Sequence, residues 1–410
     1  MIATVRDVDS GAVRQIRAAY MVACDGNRSP VREKLGIQMV GHGLMSRSVT
    51  IYFRADCASA LRGRNLGVIY VNNPHVRGFF RLEKTGLGGF LVVFNVGDIE
   101  SDPAARWVAD TITDERAAEL VRQAVGQSDL AVEVVDVAKW RAVCEAADRV
   151  QVGRVFIAGD AAHTMTPTGG FGGNTGIQDA HNLAWKLALV TQGIAARSLL
   201  DSYNAERQPA GLLAIEQAYN RYVLRSDPAL GTDGMQPAVP DMHVEFNRYR
   251  SSAVLPDADD QDDGALDIDP RQLRGRPGTR APHVELRRQS SVISTLDLFG
   301  AGFVLLAGPD GAGWAEAVRI ACAAAGLQVA VHVVSRGASS GELVDLHGDF
   351  ATPFWSAYGI GPSGASLVRP DRYVAGRQIA LGSDATTDLI AALCRVLGVQ
   401  CGLEAPRLAA

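Results

Sequence analysis

Three stretches of this 410-residue sequence predict an α/β fold in which a parallel sheet carries an inserted antiparallel sheet, with a smaller α/β unit following. In the first, residues 154–188, Val155, Phe156, Ile157 and Ala158 form the short continuous apolar run that a strand buried on both faces requires. Gly159 and Asp160 end that run and fix a carboxylate at the strand's end. A loop with Pro167, Gly169, Gly170, Gly172 and Gly173 follows, and a helix is predicted from near Asn174, with Ile177, Ala180, Leu183, Ala184, Leu187 and Val190 on one stripe. The second stretch repeats this order: an apolar strand at 20–23, the turn Asp25-Gly26, then a helix bearing Arg28 and Arg32. The third, 46–138, alternates apolar and polar residues in short runs, then predicts a helix over 113–125 and a strand over 130–138, as in an antiparallel sheet backed by a helix.

The order of strand, acid, glycine loop and helix N-terminus has a chemical use. Glycines without Cβ let a flat ligand approach the backbone, and the free N–H groups of the helix start favour negative charge. A reduced flavin is such a ligand, with negative charge near N1 and O2 of its ring and ribityl hydroxyls suited to the Asp160 carboxylate. An ordinary strand-turn-helix whose glycines serve close packing fits the same residues.

Together, the two acid-glycine turns resemble the class A flavoprotein monooxygenases, the aromatic hydroxylases related to p-hydroxybenzoate hydroxylase and phenol hydroxylase. The resemblance implies a glutathione-reductase-like FAD fold, an antiparallel substrate-domain sheet and a thioredoxin-like C-terminal domain. It places Asp160, beside Gly159, on the ribityl chain, and the loop from Pro167 through Gly169, Gly170, Gly172 and Gly173 to Asn174 beside the isoalloxazine ring. Asp25, Gly26 and Arg32 would lie near the flavin pyrophosphate and the path of NADPH. Cys24 stands where that family has Gly or Ala. Residues 246–255, 276–286, 294–300 and 358–371 resemble the polyketide-hydroxylating subgroup of the aklavinone 11-hydroxylase type. The implied reaction is FAD- and NAD(P)H-dependent hydroxylation of a polycyclic polyketide phenol by O2 through a flavin C4a-hydroperoxide. Epoxidation, Baeyer–Villiger insertion and an inactive truncated homologue acting as a binding partner are the alternatives.

Family members begin with a strand, a GxGxxG turn and a helix for the ADP half of FAD, and that segment is expected to be missing here, leaving the chain with little FAD. The one GxGxxG, at Gly359, Gly361 and Gly364, reads as a turn entering a strand, because Pro362 and the run 365–371 do not open a helix.

Composition excludes other classes. A net charge of −5 argues against nucleic acid, no apolar run reaches the roughly 18 residues of a membrane span, and the start lacks a signal peptide, so a cytoplasmic chain is expected. With no CxxC or zinc-like spacing, the six cysteines read as reduced and structural. Asp160, His163, Asp179 and His181 match no common metal spacing, and no GxSxG elbow marks a hydrolase. Arg248 and Arg250, flanking Tyr249, suit a polar aromatic substrate or the flavin edge, and suit surface ion pairing equally well. Tyr70 either reaches the pocket or is a plain core tyrosine. No residue stands out as a general base.

The expected divisions are 1–45, part of the FAD-binding domain; 46–138, the substrate-domain sheet; 139–225, the second FAD-binding part with a long helix over 201–224; 226–277, a substrate-side segment and polar linker; and 278–410, the thioredoxin-like domain. Its first strand ends in GPDGAGW rather than CxxC, which points to packing or homo-oligomer formation instead of thiol chemistry.

Overall fold

The computed structural model describes residues 1–64, 67–97, 102–258, 260, 262–335, 343–345 and 353–400. The chain opens with an antiparallel hairpin, Ile2–Arg6 against Val13–Arg17. Met21–Ala23 then lies parallel to Val155–Ile157, whose other edge takes Gln151–Val152 antiparallel. This small sheet brings the two acid-glycine turns to the same end, because parallel neighbours finish side by side.

The inserted sheet has six strands in the order His163–Thr164, Glu133–Ala147, Met39–Arg54, Gly88–Val96, Val76–Leu82 and Val68–Asn72, each pair antiparallel. Its two longest strands exceed the predicted runs: one begins at Met39 rather than 46, and the other continues to Ala147 rather than 138. Register shifts at Gly41/Gly43, Leu44/Ser46 and Tyr52/Phe53 break the alternation that the sequence reading relied on, so the pattern was lost while the pairing continued.

Alternation along the strands separates two faces. Val49, Ile51, Phe53, Leu91 and Val93 pack against Leu120 and Val121 of the Asp114–Val125 helix. Met45, Val92, Phe94 and Cys144 face the other way, toward Phe171 and the Ala214, Ala218 and Tyr222 stripe of the Asp201–Arg225 helix.

The C-terminal unit is the expected α/β layer: a seven-stranded mixed sheet ordered Ser291–Ser294, Glu285–Arg288, Leu343–Asp345, Val329–Ser335, Phe303–Ala307, Ala365–Val368 and Val374–Gln378. The Trp314–Ala325 helix joins two parallel strands, and the Ala385–Leu397 helix packs beside it. The glycines at 359–364 form a turn entering Ala365–Val368, as read from Pro362. This unit shares one core with the Phe171–Thr191 helix and the turn at Arg197–Leu200: Trp185 and Leu199 pack with Phe303, Trp314 and Leu389, and the Trp185 and Phe303 rings meet edge-on at 5.6 Å.

Within the polar segment 256–277 three acids are held by arginines: Asp257 by Arg377, Asp260 by Arg248 and Arg276, and Asp262 by Arg250. Cys24, Cys57, Cys144 and Cys322 are free thiols, but Cys394 is disulfide-bonded, a correction to the reading of six reduced cysteines. Residue spacing does not show which sulfurs the fold brings together, and Cys401 lies outside the described residues. Among the described residues no helix is long and apolar enough to cross a membrane.

Candidate functional site

The first turn is built as its residues suggest. Gly26 adopts φ +82°, which permits the sharp exit from the strand, and Asp25 Oδ2 accepts the Val31 N–H at 3.2 Å. Ser29 caps the short Pro30–Lys34 helix by accepting the Arg32 N–H at 2.9 Å. The Arg32 side chain is buried: Nη2 donates to Asn27 O at 2.9 Å and Nη1 to Ala161 O at 3.0 Å. Arg32 thus ties the first turn to the second.

In the second turn Gly159 sits at φ +61° and exposes Asp160, whose carboxylate has no hydrogen-bond partner among the described residues. Gly169 (φ +97°) and Gly170 (φ +73°) turn the chain after Pro167 into the Phe171–Thr191 helix. That helix starts three residues before the predicted Asn174, so Gly172 and Gly173 lie in its first turn rather than in the loop. Glycine in a helix costs about 1 kcal/mol relative to Ala, and here that cost is offset by docking Phe171, 2% exposed, into the aromatic cluster below. Gly170 is the N-cap and no side chain caps the helix, so its first N–H groups remain open to a ligand. A Cβ on Gly173 would meet nothing within 4 Å, while one on Gly176 would come within 3.2 Å of the Gly159 Cα. Gly176, which the sequence reading passed over, lets the helix approach the acid-glycine turn closely.

Asn174 Nδ2 donates to Glu245 Oε1 at 2.5 Å, which ties the helix start to the segment approaching Arg248 and Arg250. Beneath the loop, Phe94 meets Tyr222 edge-on at 5.4 Å and Trp140 at 6.1 Å, and Trp140 Nε1 donates to Thr50 Oγ1 at 3.0 Å. With Met45, Met165 and Phe171 these rings form an apolar aromatic floor.

Two buried ionic clusters hold the helices behind the turn. Asp179 Oδ2 accepts the Gly159 N–H at 3.0 Å and pairs with His163 Nε2 at 2.7 Å; its Oδ1 accepts Arg207 Nε at 2.8 Å. The sequence reading weighed His163 and Asp179 only as metal ligands, whereas the fold pairs them with each other. Deeper, Glu206 accepts from Lys186 at 2.7 Å, Asn182 at 2.7 Å, Arg369 at 2.6 and 2.9 Å and Ser251 at 2.5 Å. Burial raises the Asp179 carboxyl's pKa, but Arg207 and His163 outweigh it and hold the group below its ordinary value. Glu206 is likewise raised by burial and lowered further by Arg369 and Lys186. Both carboxylates bind protons less tightly folded than unfolded. Their contribution to stability is therefore full above the ordinary values, 3.8 for Asp and 4.5 for Glu, and is lost as the pH falls through the lower folded ones. An acid titration followed by tryptophan fluorescence should show unfolding that starts only below this range. Asp179→Asn should flatten that acid dependence.

The three candidate substrate contacts lie in different settings. Arg248, 4% exposed, pairs with Asp260 and with Asp262 at 3.1 Å, and Arg250 pairs with Asp262 at 2.5 Å, so both guanidinium groups are engaged by nearby carboxylates. Tyr70, 47% exposed, lies on the edge strand Val68–Asn72, with Arg225 over its ring at 5.5 Å and Phe79 at 5.9 Å. The residue that reaches the buried network is Tyr249, between the two arginines, whose hydroxyl accepts Arg207 Nη1 at 2.9 Å.

Known proteins resemble this chain along most of its length. The FAD binding domain family matches residues 1–218, and the aromatic-ring hydroxylase C-terminal family matches residues 274–399. A 4-methyl-5-nitrocatechol 5-monooxygenase of a Burkholderia species is 49% identical over 397 residues, 95% of this chain and 71% of that protein. The tetracenomycin A2 monooxygenase-dioxygenase of Streptomyces glaucescens is 38% identical over 96% of this chain and 68% of its own length. The crystal structure of aklavinone-11 hydroxylase with FAD and aklavinone superposes with a TM-score of 0.84 at 36% identity, covering 97% of this chain and 74% of that one. The chain belongs to the FAD-dependent aromatic-ring hydroxylases.

Proposed function

We propose that this chain inserts one oxygen atom from O2 into an electron-rich phenolic ring, taking electrons from NADPH through FAD, with a polycyclic polyketide phenol as substrate. The observation that carries this reading is the uncapped, glycine-lined start of the Phe171–Thr191 helix between the exposed Asp160 carboxylate and the aromatic floor. The residues fit FAD. Asp160 would accept hydrogen bonds from the ribityl hydroxyls; Gly170 and Gly173, where an added Cβ meets nothing within 4 Å, would leave room for a flat ring, and Gly169 and Gly172 would shape the loop beside it. The helix N–H groups before Asn174 favour the negative charge of its reduced form. Asp25, Gly26 and Arg32 shape the neighbouring turn on the pyrophosphate side. Bound FAD supplies the reduction and oxygen-activation chemistry. The chain contributes position, fixed dipoles and an apolar cavity floor that keeps water from the reacting ring. Tyr70 serves as a substrate-side contact, and Arg248 and Arg250, paired with Asp260 and Asp262, hold in place the segment that carries Tyr249.

A smaller ring is the second reading, favoured by the 49% identity to a protein named for a nitrocatechol. FAD-loaded protein with NADPH and ¹⁸O2 should be offered a tricyclic phenol and a substituted catechol. One labelled oxygen in the tricyclic product supports the first reading, and label only in the catechol supports the second. An epoxide or lactone product, or no oxygenated product while NADPH is consumed, overturns hydroxylation.

Gly173→Leu separates cofactor space from fold. Leu is a better helix former than Gly by up to about 1 kcal/mol and its Cβ meets nothing within 4 Å, so thermal stability should hold or rise, while FAD affinity should fall at least about tenfold because the side chain enters the ligand's space. Unchanged FAD affinity would show that the ring lies elsewhere.

A further inference from the structure

Tyr249 belongs to neither acid-glycine turn, yet it ends a chain of hydrogen bonds that begins at Gly159. Gly159 N–H donates to Asp179 Oδ2 at 3.0 Å, and Arg207 Nε donates to Asp179 Oδ1 at 2.8 Å. Arg207 Nη2 donates to Thr175 O at 3.1 Å and Nη1 to the Tyr249 hydroxyl at 2.9 Å. Arg207 is 1% exposed and Tyr249 2%, so water replaces neither partner. The other acceptor of Nη1, Gln178 Oε1, lies at 3.3 Å and makes the weaker bond.

The Tyr249 ring is itself fixed from the C-terminal domain. It stacks on Tyr373 at 3.9 Å with 14° between the planes, and Arg369 lies over it at 5.5 Å. Its backbone N–H donates to Gly278 O at 2.7 Å.

We propose that Tyr249 is a positioning residue for the cofactor: its hydroxyl holds the Arg207 guanidinium on Asp179, and Asp179 holds the Gly159 amide, so that Asp160 presents its carboxylate in one direction. The C-terminal domain thereby takes part in shaping the flavin turn through Tyr373 and Arg369. The role rests on the reading that Asp160 contacts FAD, although the relay itself can be tested without cofactor.

Tyr249→Phe removes one oxygen atom and keeps the ring stack. In cofactor-free protein, hydrogen exchange at the Gly159 amide should quicken about tenfold, the size of one hydrogen bond to a charged group. Ser251→Ala deletes a bond of the same kind to Glu206 in the deeper cluster and should leave that amide within about twofold. FAD affinity, read from quenching of its fluorescence, should fall about fivefold in Tyr249→Phe. Unchanged exchange at Gly159 overturns the proposal, as does an equal rise in Ser251→Ala, which would mark general loosening. Faster exchange with unchanged FAD affinity also overturns the positioning role if Asp160→Ala does weaken binding. If Asp160→Ala leaves binding intact, the flavin reading is what fails, and the exchange result still decides the relay.

Discussion

Replacing Glu206 with Gln is expected to destabilise the protein by about 3–5 kcal/mol, because removing one charge from a buried ionic cluster leaves its partners uncompensated. Glu206, Lys186 and Arg369 are all fully buried, and Asp371 is the remaining anion. In the wild-type cluster two cations face two anions. With Gln at 206 one anion faces two cations, and the amide NH2 points at donors that had an acceptor. Urea unfolding should show the midpoint fall, with both halves of the chain unfolding earlier, because Glu206 lies on the Asp201–Arg225 helix and Arg369 in the C-terminal unit. Adding Lys186→Met to Glu206→Gln removes one excess cation and should recover part of the loss. A single-variant loss below about 1 kcal/mol, or no recovery in the double variant, would show that the cluster does not hold the two parts together.

The sequence showed those parts of the site whose chemistry is local. The run 155–158 followed by Gly159 and Asp160 needs only its own composition to be read as a buried strand ending in an acid, and the fold has a strand and turn there. Val49, Ile51 and Phe53 alternate, so one face of the antiparallel sheet was visible, up to the bulges that shift its register. The helix start was misplaced because Gly172 and Gly173 resemble a loop by propensity, while a tertiary contact, the docking of Phe171, decides the matter. The clusters behind the site were not legible. Glu206 and Arg369 are 163 residues apart, and the local pattern does not separate a buried Glu or Arg from an exposed one. Arg248 and Arg250 drew attention as charges, but their charge is balanced within 14 residues by Asp260 and Asp262. The neutral residue between them reaches the network. A cue was present: five acids gathered at 257–263 lie a short way along the chain from arginines at 248, 250 and 276, close enough for opposite charges to pair.

Asp160→Ala should weaken FAD binding by about 1.5–3 kcal/mol, roughly ten- to a hundredfold, while leaving the fold intact. The two halves of this expectation have separate causes. The fold is spared because the Asp160 side chain is exposed and has no hydrogen-bond partner among the described residues; the turn is held instead by Gly159 on Asp179 and by Arg32 on Ala161. Binding is lost because a carboxylate accepting hydroxyl protons makes charge-assisted bonds that Ala cannot replace, in a site where the helix start favours negative charge but offers only donors. Asp160→Asn keeps an acceptor oxygen without the charge and should fall between Ala and the wild type. Fluorescence titration with FAD and a thermal melt of the cofactor-free protein measure the two halves independently. Equal FAD affinity in wild type and Asp160→Ala would remove Asp160 from the cofactor site, and a melting temperature lowered as much as that of Glu206→Gln would show that Asp160 acts on the fold rather than on the ligand.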